Sequence, residues 1–201
     1  MRTKRFTKIS GTAFNELQMD AGVLLKTFDP SKPTMTLSNI VCATTGGITA
    51  SCVPTYQDNG EDVDNCPNNM KEFKEITGFD AKMSFTALNV TADVIKLSLG
   101  AADITQETGK ITPRNYLELT DFTDSIWWVG DLSDGGFAAI CLKNALSTSG
   151  LSLKTTKGGK GNLTVELTGH YSISAQDAVP MDFYVSEGTE ASAPEVPGQG
   201  G

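Results

Sequence analysis

Residues 79–87 read FDAKMSFTA, and residues 162–173 read NLTVELTGHYSI. In the first stretch Phe79, Ala81, Met83, Phe85 and Ala87 alternate with Asp80, Lys82, Ser84 and Thr86. In the second, Leu163, Val165, Leu167, Tyr171 and Ile173 alternate with Asn162, Thr164, Glu166, Thr168, His170 and Ser172. Side chains along a strand point to opposite faces with period two. Each stretch therefore predicts a strand with one dry face and one wet face. A dry face needs a second layer against it, so the fold class is mainly β, built from packed antiparallel layers.

Outward from these two strands the pattern continues. Residues 179–185 alternate again, with Val179, Met181, Phe183 and Val185 on one side. Further strands are expected at 17–28, 34–43, 48–55, 125–132 and 137–146. The last is apolar on both faces and would also suit a short helix. Glycine pairs supply turn chemistry: Gly46-Gly47 between two apolar arms, and Asp134-Gly135-Gly136 before Phe137. Residues 157–161, KGGKG, join 151–156 to the long strand after them as a hairpin with a basic tip. One helix is legible, because Leu88, Ala92, Ile95 and Leu99 recur at helical spacing. Asn89 or Thr91 caps its start and Gly100 stops it. The whole reads as a β-sandwich or partial barrel with one flanking helix, an extended loop and a long hairpin.

Two segments depart from the pattern. Residues 54–78 are rich in Asp, Asn, Gly and Pro and long for a connection, which marks them as a subunit-bridging loop. Within them, 70–76 suits a helical turn or two. Residues 187–201 hold Gly, Pro, Ser, Ala and Glu with almost no apolar anchor, as in a disordered acidic tail. The domain is then 1–186, with 1–15 as an N-terminal arm.

Charge narrows the function. Sixteen Lys and Arg stand against 24 Asp and Glu among 201 residues, a formal charge of −8. A domain that grips nucleic acid over its surface needs the opposite balance. The longest apolar runs fall far short of the ~20 residues a membrane helix needs, so no membrane insertion is expected. Arg2, Lys4, Arg5 and Lys8 are followed by no apolar core of a secretory signal, which predicts a cytosolic start. The four cysteines, Cys42, Cys52, Cys66 and Cys141, have no zinc-like spacing. If a hairpin turned on Gly47, Cys42 and Cys52 would lie opposite each other, and in a cytosol reduced thiols are the better reading.

Motifs with chemistry are missing. There is no nucleophile elbow, P-loop, dinucleotide fingerprint or H-E-x-x-H pattern. The 157–161 glycines lack phosphate-loop spacing, and the acids at 58–64 lack EF-hand order. The single His170 reads as a structural or interface residue. Trp127 and Trp128 must point to opposite sides of their strand, so one belongs to the core and the other to a subunit contact. No enzyme, metal or cofactor is expected.

The segments ITPRNYLELTD (111–121), IWWVGD (126–131), KNALSTSG (143–150), GKGNLT (159–164), TGHYSISAQD (168–177) and VPMDFY (179–184) together resemble the major tail tube proteins of tailed phages of Gram-positive bacteria. AGVLLKTFDP (21–30) and GEDVDNCPNNMKEFKEI (60–76) are similar to the same family, so the resemblance spans about 17–185. It implies a structural virion protein that forms hexameric rings. The rings stack into a tube whose continuous β-barrel passes DNA during ejection, with no cofactor and no catalysis. The implied partners are further copies of the chain, a tape-measure protein, the tail terminator, baseplate or tail-tip proteins, and double-stranded DNA in transit. The implied location is the virion tail, assembled in the host bacterial cytoplasm.

On that view the wet faces supply the lumen: Asp80, Lys82, Ser84, Thr86, Thr164, Glu166, Thr168 and His170. Ring and subunit contacts would come from Asp58, Glu61, Asp62 and Asp64 against Lys154, Lys157 and Lys160, with Trp127 or Trp128 at a subunit face. Two other readings fit the same strands. One is a monomeric β-sandwich binding module of adhesin or carbohydrate-binding type, with a tryptophan as platform. The other is a head–tail connector or minor tail protein.

Overall fold

The computed structural model describes residues 17–188. In chain order its elements are β1 (Gln18–Leu25), β2 (Thr44–Asp58), β3 (Lys74–Ala87), α1 (Ala92–Leu99), β4 (Ala102–Thr105), β5 (Lys110–Pro113), β6 (Thr123–Leu132), β7 (Phe137–Ser147), β8 (Ser152–Lys154), β9 (Asn162–Thr168) and β10 (Met181–Ser186). The expected N-terminal arm at 1–15 lies outside the described residues, as does the tail beyond Gly188.

Every strand pair is antiparallel. One half-sheet runs β1-β6-β7-β10, the other β2-β3-β9-β8, and β7 joins them. Phe137–Ala145 of β7 pairs with β6, while Leu146 and Ser147 pair with β9. Just before the change, Asn144 takes a left-handed backbone (φ 46), a conformation Asn tolerates better than most residues. The residues 137–146 therefore form a strand that changes sheets, and the helical alternative falls away. β4 and β5 make a separate hairpin.

The two half-sheets pack face to face. Leu24, Ile126, Trp128, Leu142 and Met181 from one meet Ala81, Met83, Phe85, Leu163, Val165 and Leu167 from the other. The alternation read at 79–87 and 162–168 is the inner face of this sandwich. Val94 of α1 closes one end of the core. Thr91 caps that helix by accepting from the Val94 amide at 3.3 Å, and Gly100 ends it with φ 76. Asn89 does not cap; its Oδ1 accepts from the Ala43 amide instead.

A second, smaller cluster lies on the outer face of the first half-sheet. It contains Leu25, Trp127, Ala139 and Cys141, covered by Phe28, Ile40, Phe137 and Tyr184. Phe28 meets both Trp127 and Phe137 edge-on. Ile40 of this cover comes from the segment 34–43, expected as a strand. That segment is instead irregular, with a 3-10 turn at Leu37–Asn39 and one bridge from Ile40 to Leu25.

Several other expectations change. Gly46 and Gly47 both have φ 75 and lie within β2, where the register slips between Thr45 and Ile48. They form a bulge that bends one strand, so the hairpin expected there does not exist. Cys52 lies opposite Ala81, and both Cys42 and Cys52 are free. Burial pushes the Cys42 and Cys141 thiols up to about 11. The strand at 162–173 stops at Thr168, leaving Tyr171 exposed and Ile173 90% exposed. In β10 only Met181 is buried; Phe183 and Val185 overhang the core and stay in solvent.

The loop expected at 54–78 shrinks from both ends. Residues 54–58 finish β2 and 74–78 begin β3, leaving only the tip irregular, with a 3-10 turn at Lys71–Phe73. β9 pairs with β3 only from Lys82 to Ala87. The rest of the β2–β3 hairpin extends beyond the sandwich as a two-stranded arm.

Candidate functional site

The residues expected to line a channel are brought together by strand register. Lys82 pairs with Thr168, Ser84 with Glu166 and Thr86 with Thr164 across β3 and β9. On the other side of β3, Asp80, Lys82, Ser84 and Thr86 pair with Val53, Ser51, Thr49 and Thr45 of β2. Ser152 and Lys154 of β8 extend the row past β9. The outer face of this half-sheet is thus broad, and hydroxyl groups dominate it. His170 leaves the face. Its backbone amide donates to the Lys143 carbonyl, its Nδ1 lies 3.2 Å from the Asn144 carbonyl, and its ring stands edge-on to Phe122 at 5.2 Å. It is a structural clasp behind the strand that changes sheets.

Among the described residues, both lateral edges of this half-sheet are open. β2 has β3 on one side and no described strand on the other, and β8 pairs only with β9 among the described strands. A long unpaired edge invites pairing with another chain. Pro54 fits there because an edge strand can spare the amide. Strand direction alternates through β2, β3, β9 and β8, so β8 of one copy beside β2 of the next would continue the antiparallel order.

The two charged loops lie at opposite ends of the half-sheet. Asp58 pairs with Lys74 at the arm tip, while Ala87 pairs with Leu163 beside the β8–β9 hairpin. At ~3.3 Å per residue, the 14 residues of β3 separate these ends by roughly 43 Å. The arm tip exposes Glu61, Asp62 and Asp64, and the opposite hairpin exposes Lys154, Lys157 and Lys160. None of these six side chains has an ion-pair partner among the described residues. Asp58 differs from its neighbours. Its carboxylate accepts from the Asn69 amide at 2.9 Å and the Gly60 amide at 3.1 Å, with Lys74 at 3.7 Å. Those two backbone bonds, the Asn69 one first, hold its pKa below the ordinary value. Asp58 therefore shapes the tip and is not a free contact residue.

Neither tryptophan is available as a platform or subunit contact within this chain. Trp127 and Trp128 do point to opposite faces, but each is only 9% exposed. Trp128 donates to the Ala21 carbonyl at 2.9 Å inside the sandwich. Trp127 is roofed by Phe28 and Tyr184 on the outer face. The expectation failed because Phe28, from the irregular segment after β1, and Tyr184 of the neighbouring β10 cover the ring, which period-two reasoning on one strand does not register.

One cluster escaped sequence reading. Arg114, only 7% exposed, meets Asp103 at 3.0 Å, Glu118 at 3.2 Å and the buried Asp121. Its guanidinium also sits 4.9 Å from the centre of the Tyr116 ring. Glu118 and Asp121 form a capping box around the 3-10 turn Leu119–Asp121. The cluster fastens the β4–β5 hairpin to the start of β6. The capping pattern E-x-x-D was the signal present in the sequence.

Among the described residues no His, Cys, Asp and Glu grouping of three or more could hold a metal ion. No described helix is long and apolar enough to cross a membrane. No family model and no curated protein matches the chain. Among solved structures it is similar to a chain of the virion of a native gene transfer agent particle. That match has 10% identity and a TM-score of 0.38, and covers 82% of this chain and 95% of the other.

Proposed function

We propose that this chain is a structural virion subunit that assembles into stacked hexameric rings, forming a tail tube through which DNA leaves the particle. The observation that carries the reading is the pair of exposed, opposite charge clusters, without ion-pair partners among the described residues, at opposite ends of one half-sheet. A contact between different patches on identical copies closes into a ring only if its rotation brings the last copy back to the first; between patches at opposite ends of one axis it builds an open stack. Glu61, Asp62 and Asp64 of one copy facing Lys154, Lys157 and Lys160 of the next would order that stack more than tighten it.

The lateral edges support ring closure in the same way. Joining β2 to β8 around a ring would remove both exposed edges and give a barrel. Its wet face would then be Asp80, Lys82, Ser84, Thr86, Thr164, Glu166 and Thr168, without His170. Hexameric number, the tape-measure, terminator and baseplate or tail-tip partners, and the tail location come from the residue resemblance. No step of this role calls for an enzyme. The binding-module reading loses its platform with both tryptophans buried. A connector or minor tail role differs in copy number, which is high for a tube subunit.

Electron microscopy of the concentrated, purified protein tests the reading. Rings or tubes with a central hole are expected. A protein that stays monomeric at every concentration overturns it.

A further inference from the structure

Along the paired length of β3 and β9 the wet face carries one cation, Lys82, and one carboxylate, Glu166, with Asp80 two residues before Lys82 on β3, opposite Val53 of β2. Lys82 Nζ lies 2.7 Å from Asp80 Oδ2, two residues earlier on the same strand. Glu166 stands opposite Ser84, one diagonal step from Lys82, whose direct partners are Ser51 and Thr168. Diagonal neighbours in a sheet lie within reach of long side chains. The ammonium thus has a carboxylate along its own strand and a second across the ladder. Its pKa is raised, chiefly by the hydrogen bond with Asp80, with the charges of Asp80 and Glu166 adding to it. The surrounding side chains, Thr49, Ser51, Ser84, Thr86, Thr164 and Thr168, are neutral hydroxyls. Lys154 faces the same way but stands at the far hairpin, in the stacking surface.

On the conduit reading above, we infer that Asp80 and Glu166 mask Lys82 and so keep this face from holding the phosphate backbone of passing DNA. A bare ammonium repeated around a ring would bind phosphate with release of counterions. Several such contacts in one ring would compound, because each further contact is intramolecular. Two carboxylates without the lysine would instead repel both each other and DNA. One cation between two anions leaves a weakly negative surface with no free donor of positive charge. The lysine is tolerated there because its charge is already engaged.

The test is the double variant Asp80→Asn/Glu166→Gln, compared with wild type for retention on immobilised duplex DNA at low salt. Assembled tubes and soluble subunits are both assayed. The variant should be retained roughly tenfold more strongly, with a steeper loss as salt rises. Adding Lys82→Ala should return retention to the wild-type level. No gain in the double variant, or a gain that survives Lys82→Ala, overturns the masking. Unchanged tryptophan fluorescence checks that the sandwich is intact. The conduit reading fails separately, if wild type forms no rings or tubes in micrographs; the soluble-subunit assay then still decides whether Lys82 is masked.

Discussion

The two half-sheets share one core but differ in completeness. The β1-β6-β7-β10 half is covered on both faces, inward by the other sheet and outward by Phe28, Ile40 and Tyr184 around Trp127. The β2-β3-β9-β8 half is covered on one face only among the described residues, and extends an arm with exposed Tyr56, Phe73 and Ile76. A two-stranded ribbon is marginal by itself. Both halves build the core, with Met83, Leu163 and Leu167 as fully buried as Leu142; on the function proposed above, the second half also carries surfaces that another copy would complete.

That contrast can be broken by substitution. Leu142 is fully buried where Ile126 and Met181 pair with β7. Leu142→Ala should destabilise the subunit by about 2–5 kcal/mol, read from denaturant unfolding. A loss under ~1 kcal/mol would mean that Leu142 is not a keystone of the shared core. Gly22 sharpens the same point. It has φ +67, and an added Cβ would meet Trp128 Nε1 and the Val129 carbonyl at 2.5 Å. Gly22→Ala should cost about 1–3 kcal/mol through strain at the β1 bulge, measured the same way.

Substitutions on the exposed surfaces of the other half should leave the fold and change assembly. Removing residues 156–161 should leave the unfolding midpoint nearly unchanged while tubes fail to form in micrographs. Normal tubes from that deletion would contradict the role given to the basic hairpin. Thr164→Lys, on the wet face, should shift stability by less than ~0.5 kcal/mol. A larger loss would show that this face is packed against something in the free subunit.

The smallest effect is a pH effect confined to the arm. Asp58 has a folded pKa below its ordinary 3.8. A depressed carboxylate contributes stability that is present above its unfolded pKa and is lost as pH falls through the folded value. The Gly60 and Asn69 amide signals should therefore keep their native positions above about pH 4 and move together only below it. Tryptophan fluorescence from the covered half should stay flat over the step. Simultaneous change in both would dissolve the distinction between the halves.

The same distinction explains what could be read in the sequence. Ala81, Met83 and Phe85 against Lys82, Ser84 and Thr86 were legible because one face of β3 meets the core and the other does not. The arm was read as loop because neither of its faces is dry: Tyr56, Gln57, Glu75 and Ile76 are all exposed. Phe183 and Val185 alternate like core residues but overhang the sandwich, and alternation alone does not reveal where a partner sheet ends. Gly46-Gly47 misled because a positive φ serves a bulge as well as a hairpin. The charged loops were visible as composition, whereas their placement at opposite ends needed the register of β3 with β2 and β9. Arg114 was hidden because Asp103 reaches it from another hairpin.

The central claim is that copies meet head to tail, acidic arm to basic hairpin. Its most direct test mixes two proteins in a Cys66→Ser background, one carrying Asp62→Cys and the other Lys157→Cys, and oxidises them under assembly conditions. The account predicts disulfide-linked pairs joining one variant to the other. Crosslinks formed chiefly between two copies of the same variant would mean that like ends meet, and would contradict it.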